Sequence, residues 1–485
     1  MYIRFCSNKP RFTRTYICSA FHTEGLYHMK TIFMASLGCA KNLVDAETML
    51  GETLGSRFSL ALAPEEADII IVNTCGFIEA AREEARQVIG ECLDVKKRSG
   101  GKIKVVAAGC WAQRDPDGVG KEFPQLDAIW GLDIPSELEK HIDALDGKKP
   151  GDAAPAAGLG LSALPRQGAR LVTTLPSFAY LRLSDGCDNR CNYCAIPLIR
   201  GGLKSRMPGA VLEEAKSLER QGASELVVIS QDTTAYGADL GLPGARLSVL
   251  LRLLLESVSV PRIRLLYAHP AHIDDEVVDM LVNEPRLCRY LDLPVQHASD
   301  SVLAAMGRGY GKERIEYIVD KLAGLDFTLR TTFLLGFPGE TEADFLQALD
   351  MVKKGAFRHV GAFAYSPEPG TPAYGSPEAV PAEEAERRRD AIMEAQAVNA
   401  FAWLDSRIGR VEEVLIDSVP EKGWLIGRTR HEAPDADGAV FVKSAKAAPG
   451  DMVKACIAGR DGYDLFAEIG AAKHAKKHGK NRKKR

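Results

Sequence analysis

Three cysteines fall within eight residues, Cys187-Asp-Asn-Arg-Cys191-Asn-Tyr-Cys194, directly behind a short apolar segment at 178–184. A strand running into such a loop sets three thiolates together at the strand's C-terminal end, where a βα-barrel keeps its chemistry. Three thiolates on one loop can grip three irons of a 4Fe–4S cube. Such cubes usually take four cysteines, so one iron is left open to bind something else. Structural zinc closes its tetrahedron with four ligands. No fourth Cys or His lies near this loop in sequence, so a zinc knuckle fits less well.

A second constellation is spread out. Cys39, Cys75 and Cys110 each follow a short apolar run, at 31–38, 67–74 and 102–109, and are spaced by 36 and 35 residues. That spacing is about one βα unit. In a parallel sheet all strand C-termini face one edge, where ligands bind, so these three cysteines are expected to converge. Their contexts are alike: Leu-Gly-Cys39, Asn-Thr-Cys75-Gly and Ala-Gly-Cys110. Small residues there let backbone approach a bulky ligand. Chance placement of three buried cysteines is the competing reading. Again no fourth ligand is evident, so a second cube with an open iron is the economical expectation.

The rest of the chain supplies scaffolds for both. Residues 30–146 alternate Ile/Val-rich strands with helical stretches at 44–54 and 79–98, which predicts an α/β domain on a parallel sheet. Residues 147–172 are rich in Gly, Ala and Pro and read as a linker. Six strand candidates, at 178–184, 225–230, 262–267, 290–294, 329–335 and 359–365, predict a partial (β/α)6 barrel over 173–402. Residues 382–403 read as a helix leading out. About five short strands follow over 403–470, a small β-barrel. The 485 residues carry 62 Lys and Arg against 65 Asp and Glu, an ordinary soluble balance. No stretch of about 18 apolar residues suggests a membrane span.

The ends differ. Residues 1–28 hold four Lys/Arg and one acid, Glu24. They read as a transit peptide or, preferably, as an over-extended start before Met29. Residues 471–485 form a basic tail with eight Lys/Arg and no acid, either a solvated end or a phosphate-binding one. The eleven cysteines are too sparse for a small disulfide scaffold. Cys6, Cys18, Cys92, Cys288 and Cys456 have no cluster-like placement and read as buried or idle thiols.

The CxxxCxxC loop resembles the signature of the radical S-adenosylmethionine (SAM) enzymes. In that family the open iron chelates SAM, and one-electron cleavage gives a 5′-deoxyadenosyl radical. The resemblance implies a cofactor-side role for Tyr193, just before the last cysteine. It implies another for Gly336 in Thr332-Phe-Leu-Leu-Gly-Phe-Pro-Gly-Glu340, similar to the family's adenine-contacting segment. His269 and Arg308, near barrel strands, could also touch SAM. Taken together, 30–470 resembles the radical SAM methylthiotransferase family, whose last domain is a TRAM domain. The resemblance implies two 4Fe–4S clusters: one on Cys187, Cys191 and Cys194 that makes the radical, and one on Cys39, Cys75 and Cys110 that presents sulfur. SAM would serve both as radical source and as methyl donor.

Two branches of that family differ in substrate. One modifies an adenosine of tRNA; the other modifies the β-carbon of an aspartate in ribosomal protein S twelve. Ser36-Leu-Gly-Cys-Ala-Lys-Asn-Leu-Val-Asp45, Asn73-Thr-Cys-Gly-Phe-Ile-Glu79, Ser184-Asp-Gly-Cys-Asp-Asn-Arg-Cys191 and the segment 427–438 look like the second branch. The tRNA branch has a Gln-Met-Asn type sequence where this chain has Ala40-Lys-Asn42. Charge agrees, because 403–470 carries nine Lys/Arg against twelve Asp/Glu. An acidic domain suits a basic ribosomal protein better than it suits tRNA. Asp435 and Asp437 are the candidate contacts. The resemblance further implies a cytoplasmic enzyme with an electron donor such as flavodoxin or ferredoxin, and ribosomal RNA contact through the tail. A non-catalytic iron–sulfur electron carrier is the alternative from another class; formation of 5′-deoxyadenosine eliminates it.

Overall fold

A computed structural model describes residues 15–16, 30–53, 58–132, 138–145, 147, 170–421, 423–444 and 446–469. The extension 1–28 apart from Thr15–Tyr16, most of the linker 147–172, and the tail 471–485 lie outside the described residues.

The N-terminal layer is one sheet. Its strands are β1 (Thr15–Tyr16), β2 (Lys30–Ser36), β3 (Phe58–Leu60), β4 (Ile69–Thr74), β5 (Lys104–Gly109) and β6 (Ala128–Ile129), in the order β1-β2-β4-β5-β6, with β3 also on β2. Every pairing is parallel except β1 with β2. All six residues of β4, Ile-Ile-Ile-Val-Asn-Thr, are buried. That continuous run is what a parallel strand covered on both faces needs. Helix Glu79–Arg98 covers one face through Ala81, Ala85, Val88, Ile89, Cys92 and Val95, an amphipathic stripe at helical spacing. Helix Ala40–Thr53 covers the other with Leu43, Val44, Ala46 and Leu50.

Six parallel strands form the partial barrel: β7 (Phe178–Arg182), β10 (Glu225–Ile229), β11 (Arg262–Leu265), β12 (Leu287–Asp292), β13 (Thr328–Leu335) and β14 (His359–Ala364). A short ribbon, β8 (Ser184–Asp185) with β9 (Lys204–Ser205), follows β7. Alternation divides each strand. Ala179, Leu181, Leu226 and Val228 pack in one core with Leu250, Leu251 and Leu254 of helix Leu247–Ser257. Phe178, Tyr180, Val227 and Ile229 turn to the other side and share a core with helix Ala40–Thr53. The N-terminal domain thus closes the open barrel.

Helix Ala382–Asp405 leads to a closed five-stranded barrel of β15 (Val411–Glu421), β16 (Trp424–Arg428), β17 (Val440–Lys443), β18 (Met452–Asp461) and β19 (Asp464–Glu468). It docks at the N-terminal ends of the large barrel's strands. Arg262 donates to the Arg428 carbonyl at 3.0 Å and the Glu413 carbonyl at 2.7 Å. Glu225 takes Arg264 at 2.6 Å and Arg428 at 3.1 Å.

This docking corrects the expectation for Asp437. Its carboxylate is 2% exposed and accepts from Tyr290 Oη at 2.6 Å and the Ala433 amide at 2.8 Å, with Arg330 at 3.5 Å. It pins the loop against the barrel, at the end opposite the cysteine loops, and is not a surface contact. A buried carboxylate must be neutralised and hydrogen-bonded, and this fold does both internally. Asp435 stays exposed, with Tyr180 Oη donating to it at 3.1 Å.

The docking is expected to weaken in acid. Burial alone would raise the Glu225 carboxyl, but Arg264, Arg428 and Arg262 outweigh it and hold it at about 2. A carboxylate depressed on folding stabilises fully above its ordinary value of 4.5 and loses that contribution as pH falls toward 2. Glu432, opposed by burial but held down to about 2 chiefly by Arg407, adds in the same window. We expect hydrogen exchange in β16 to accelerate between these values before exchange in β4 does. Synchronous acceleration of the two would refute a local undocking.

Candidate active site

Cys39, Cys75 and Cys110 lie just past the ends of β2, β4 and β5. These strands are parallel neighbours, so their ends share an edge. Gly38 has φ +91°, and a Cβ there would sit 2.8 Å from Cys75 Cβ and 3.1 Å from its Sγ. Gly109, at φ +88°, would collide with Asn73 and the Thr74 backbone. Only glycine fits both places. Cys75 and Cys110 are buried, whereas Cys39 is exposed at the opening. Burial pushes the Cys75 thiol far up, with Cys110 and Cys39 adding to it, and pushes Cys110 to about 11. Cys39 lies below its ordinary value because Lys41 and Arg200, aided by backbone N–H groups, outweigh burial. Packed thiols like these ionise together only when positive charge arrives, which is what iron supplies.

Cys187, Cys191 and Cys194 follow β7 and β8. Gly186, at φ +70°, would strike the Gly201 and Gly202 carbonyls if it carried a Cβ. Burial raises Cys187 to about 11 and Cys194 to about 12. Arg308 donates to Cys191 Sγ at 3.2 Å, to Tyr193 Oη at 3.1 Å and to the Pro294 carbonyl at 2.9 Å. The Tyr193 ring meets Phe337 edge-on at 6.5 Å. Its neighbour Gly336 has φ +75°, donates its N–H to Glu340 at 2.6 Å, and leaves no room for a Cβ beside Ala385. The fold therefore brings the loop around Tyr193 and the segment at 336–337 together. The nine described cysteines are all free thiols.

A residue that the sequence does not single out ties the helix after Cys194 to the first trio. Helix Ile196–Arg200 starts two residues after Cys194. Its last side chain, Arg200, is 3% exposed. It donates to Cys110 Sγ at 3.3 Å, Asn42 Oδ1 at 2.9 Å, Asp45 at 2.7 Å and Asp185 at 3.1 Å. Arg182 reaches Asp45 at 2.5 Å from the barrel side. An arginine six residues past a cysteine loop carries no local signal of burial; arginines are usually exposed.

Buried polar atoms that make no hydrogen bond lie beyond the strand ends at the barrel mouth, His297 Nε2 with Glu340 3.8 Å away. Gln231 Oε1, His269 Nε2 and His297 Nε2 are buried and make no hydrogen bond. They follow β10, β11 and β12. The Ala271 amide donates to His269 Nδ1 at 3.2 Å, and the Ser299 amide to His297 Nδ1 at 3.0 Å. Each neutral ring therefore carries its proton on Nε2 and offers a donor. That tautomer disfavours His269 as a metal ligand, although Asp232, His269 and His272 lie close together. Such unsatisfied buried groups suit a small polar molecule bearing both donors and acceptors. Beside them lies a cavity of about 400 Å³ lined by Cys187, Asp232, Tyr236 and His272.

Comparison with known proteins follows the same division. Residues 181–352 match the radical SAM superfamily, 31–131 match uncharacterized protein family UPF0004, and 408–469 match the TRAM domain. The chain is 40% identical over 445 residues to ribosomal protein uS12 methylthiotransferase RimO of Syntrophotalea carbinolica, covering 91% of this chain and 97% of that one. The enzyme of the same name from Acetivibrio thermocellus is 40% identical over 448 residues, covering 91% and 98%. Among solved structures, the radical SAM methyltransferase TsrM of Kitasatospora setae with tryptophan and a SAM analogue superposes with TM-score 0.51 at 16% identity, covering 84% and 78%. The cobalamin-dependent SAM radical enzyme OxsB gives 0.50 at 12% identity, covering 76% and 56%. At such identities the likeness concerns the fold.

Proposed function

Because the chain belongs to the ribosomal protein uS12 methylthiotransferase family, we propose that it places a methylthio group on the β-carbon of an aspartate in ribosomal protein uS12. Its cofactors in this reading are SAM and two 4Fe–4S clusters. Cys187, Cys191 and Cys194 hold one cluster; Cys39, Cys75 and Cys110 hold the other. When bound, these groups supply a carbon-centred radical, a sulfur atom and a methyl group. The observation that carries the reading is Arg200, which ties the helix behind one trio to Cys110 of the other.

The protein's own side chains position and shield. Arg308 fixes Cys191 and Tyr193 together. Gln231, His269 and His297 offer the polar atoms that a SAM molecule would satisfy. Helix Ala40–Thr53 keeps water from the barrel interior. The acidic C-terminal domain favours a basic protein partner by charge complementarity. The basic tail is a candidate for ribosomal RNA contact. An electron donor such as flavodoxin or ferredoxin, and a reducing cytoplasm, complete the reading. Among the described residues no helix is long and apolar enough to cross a membrane.

The test is an anaerobic reaction of cluster-reconstituted protein with SAM, sulfide and reductant. It offers a uS12 loop peptide and, separately, a tRNA anticodon stem-loop. Mass spectrometry is expected to find methylthio for hydrogen on the peptide alone. Modification of the RNA alone would move the chain to the tRNA branch and overturn the charge argument.

A further inference from the structure

Lys41 stands two residues beyond Cys39, whose thiol it helps to hold below its ordinary value, and is not itself a member of either trio. Its side chain is buried, with the residue 8% exposed. Its ammonium lies 3.3 Å from the centroid of the Tyr267 ring. Among the described residues the ammonium makes no hydrogen bond and no salt bridge within 4 Å; the Tyr267 ring is its direct neighbour. A buried cation is costly, and one aromatic face repays only about 2 kcal/mol of that cost when desolvated; against burial, Tyr267, the Cys39 sulfur and Asp292 together hold it charged.

The surroundings keep the ammonium charged but give it no hydrogen-bond acceptor among the described residues. Tyr267 lies just beyond β11, at the barrel mouth, with φ +62°, a conformation that a bulky residue rarely adopts. Backbone strain of this kind collects at functional sites. Its amide donates to Asp292 Oδ2 at 3.1 Å, while Arg330 takes Asp292 Oδ1 at 2.9 Å. Asp292 is therefore engaged elsewhere. Arg200, the other cation near Cys39, is committed to Asp45 and Asp185. Lys41 is the cation in this group with capacity for an outside anion. It lies between exposed Cys39 and the barrel mouth.

We propose that Lys41 binds the side-chain carboxylate of the aspartate being modified, with the Tyr267 ring as the floor of that site. The inference rests on the functional reading above. The carboxyl carbon is bonded to the β-carbon, so fixing the carboxylate sets the reacting carbon one bond away, between the two trios. Lys41 is then the residue that selects an acidic target.

Two uS12 loop peptides test this, one with the target aspartate and one with asparagine in its place. Anaerobic binding to the cluster-reconstituted protein is measured by fluorescence anisotropy without reductant. Wild-type protein is expected to prefer the aspartate peptide by about tenfold or more, as a charge-assisted hydrogen bond warrants. Lys41→Met, of similar length but uncharged, brings the ratio close to one, while Lys41→Arg restores part of it. Iron content checks that each variant is assembled. A ratio that persists in Lys41→Met overturns the assignment. So does equal weakening of both peptides, which is what a merely structural lysine would give. A wild-type protein that neither binds nor modifies the peptide sinks the functional reading as well; modification with an unchanged ratio in Lys41→Met sinks only the role of Lys41.

Discussion

Replacing Cys191 with alanine is expected to abolish SAM cleavage, with 5′-deoxyadenosine falling below detection, while the N-terminal trio still takes up iron. Cys191 is the middle cysteine of its loop and is 8% exposed. The loop offers three thiolates, and a cube held by two is not retained as a cube with one open iron. The change also leaves Arg308 without the sulfur it contacts at 3.2 Å. Cys75→Ala is the matched control on the other side. Cys75 follows β4 of the N-terminal sheet, so removing its sulfur leaves the barrel loop at 187–194 untouched. In that variant 5′-deoxyadenosine is expected to persist and methylthio transfer to be lost. Iron per chain is expected to fall from about eight to about four in each case. Equal loss of both activities in the folded Cys75 variant would count against the division of labour between the trios.

The second large effect is expected at Arg200. Arg200→Met removes the one side chain that meets Asp45, Asp185, Asn42 and Cys110 together. Asp45 keeps Arg182, and Asp185 keeps the Gln231 amide at 2.8 Å and the Gly186 N–H at 3.0 Å. Both carboxylates nonetheless lose a full charge partner in a buried place. Breaking such a pair costs about 3–5 kcal/mol. The thermal midpoint should drop, and electron paramagnetic resonance should show the N-terminal cluster altered more than the other. Arg200→Lys keeps the charge but lacks the planar fork of donors, so it should restore stability in part and the cluster signal less. A variant with unchanged midpoint and unchanged spectra would show that the two domains are held by their apolar contacts alone.

Both expectations start from residues of very different legibility. All six cysteines could be found in the sequence. Three sit within one loop, and the other three follow apolar runs at the period of a βα unit. A parallel sheet turns that period into a shared edge without further information. Helix Glu79–Arg98 was equally open, because its apolar stripe repeats over five turns. β3 and β6 were not, since three and two residues are too short to show a period. The orientation of the C-terminal barrel was hidden as well. Asp437 looks like a surface acid in a turn and ends up inside, under Tyr290.

By itself, the sequence determined the element order, the parallel sheets and which cysteines share an edge, because these follow from local periodicity and strand direction. Only the tertiary structure decided that Arg200 reaches Cys110 of the other trio, that Asp437 is internal and that Lys41 rests on Tyr267. Those pairings cross 90, 147 and 226 residues of chain. Their energy comes from removing charge and aromatic surface from water, which no short stretch of sequence records.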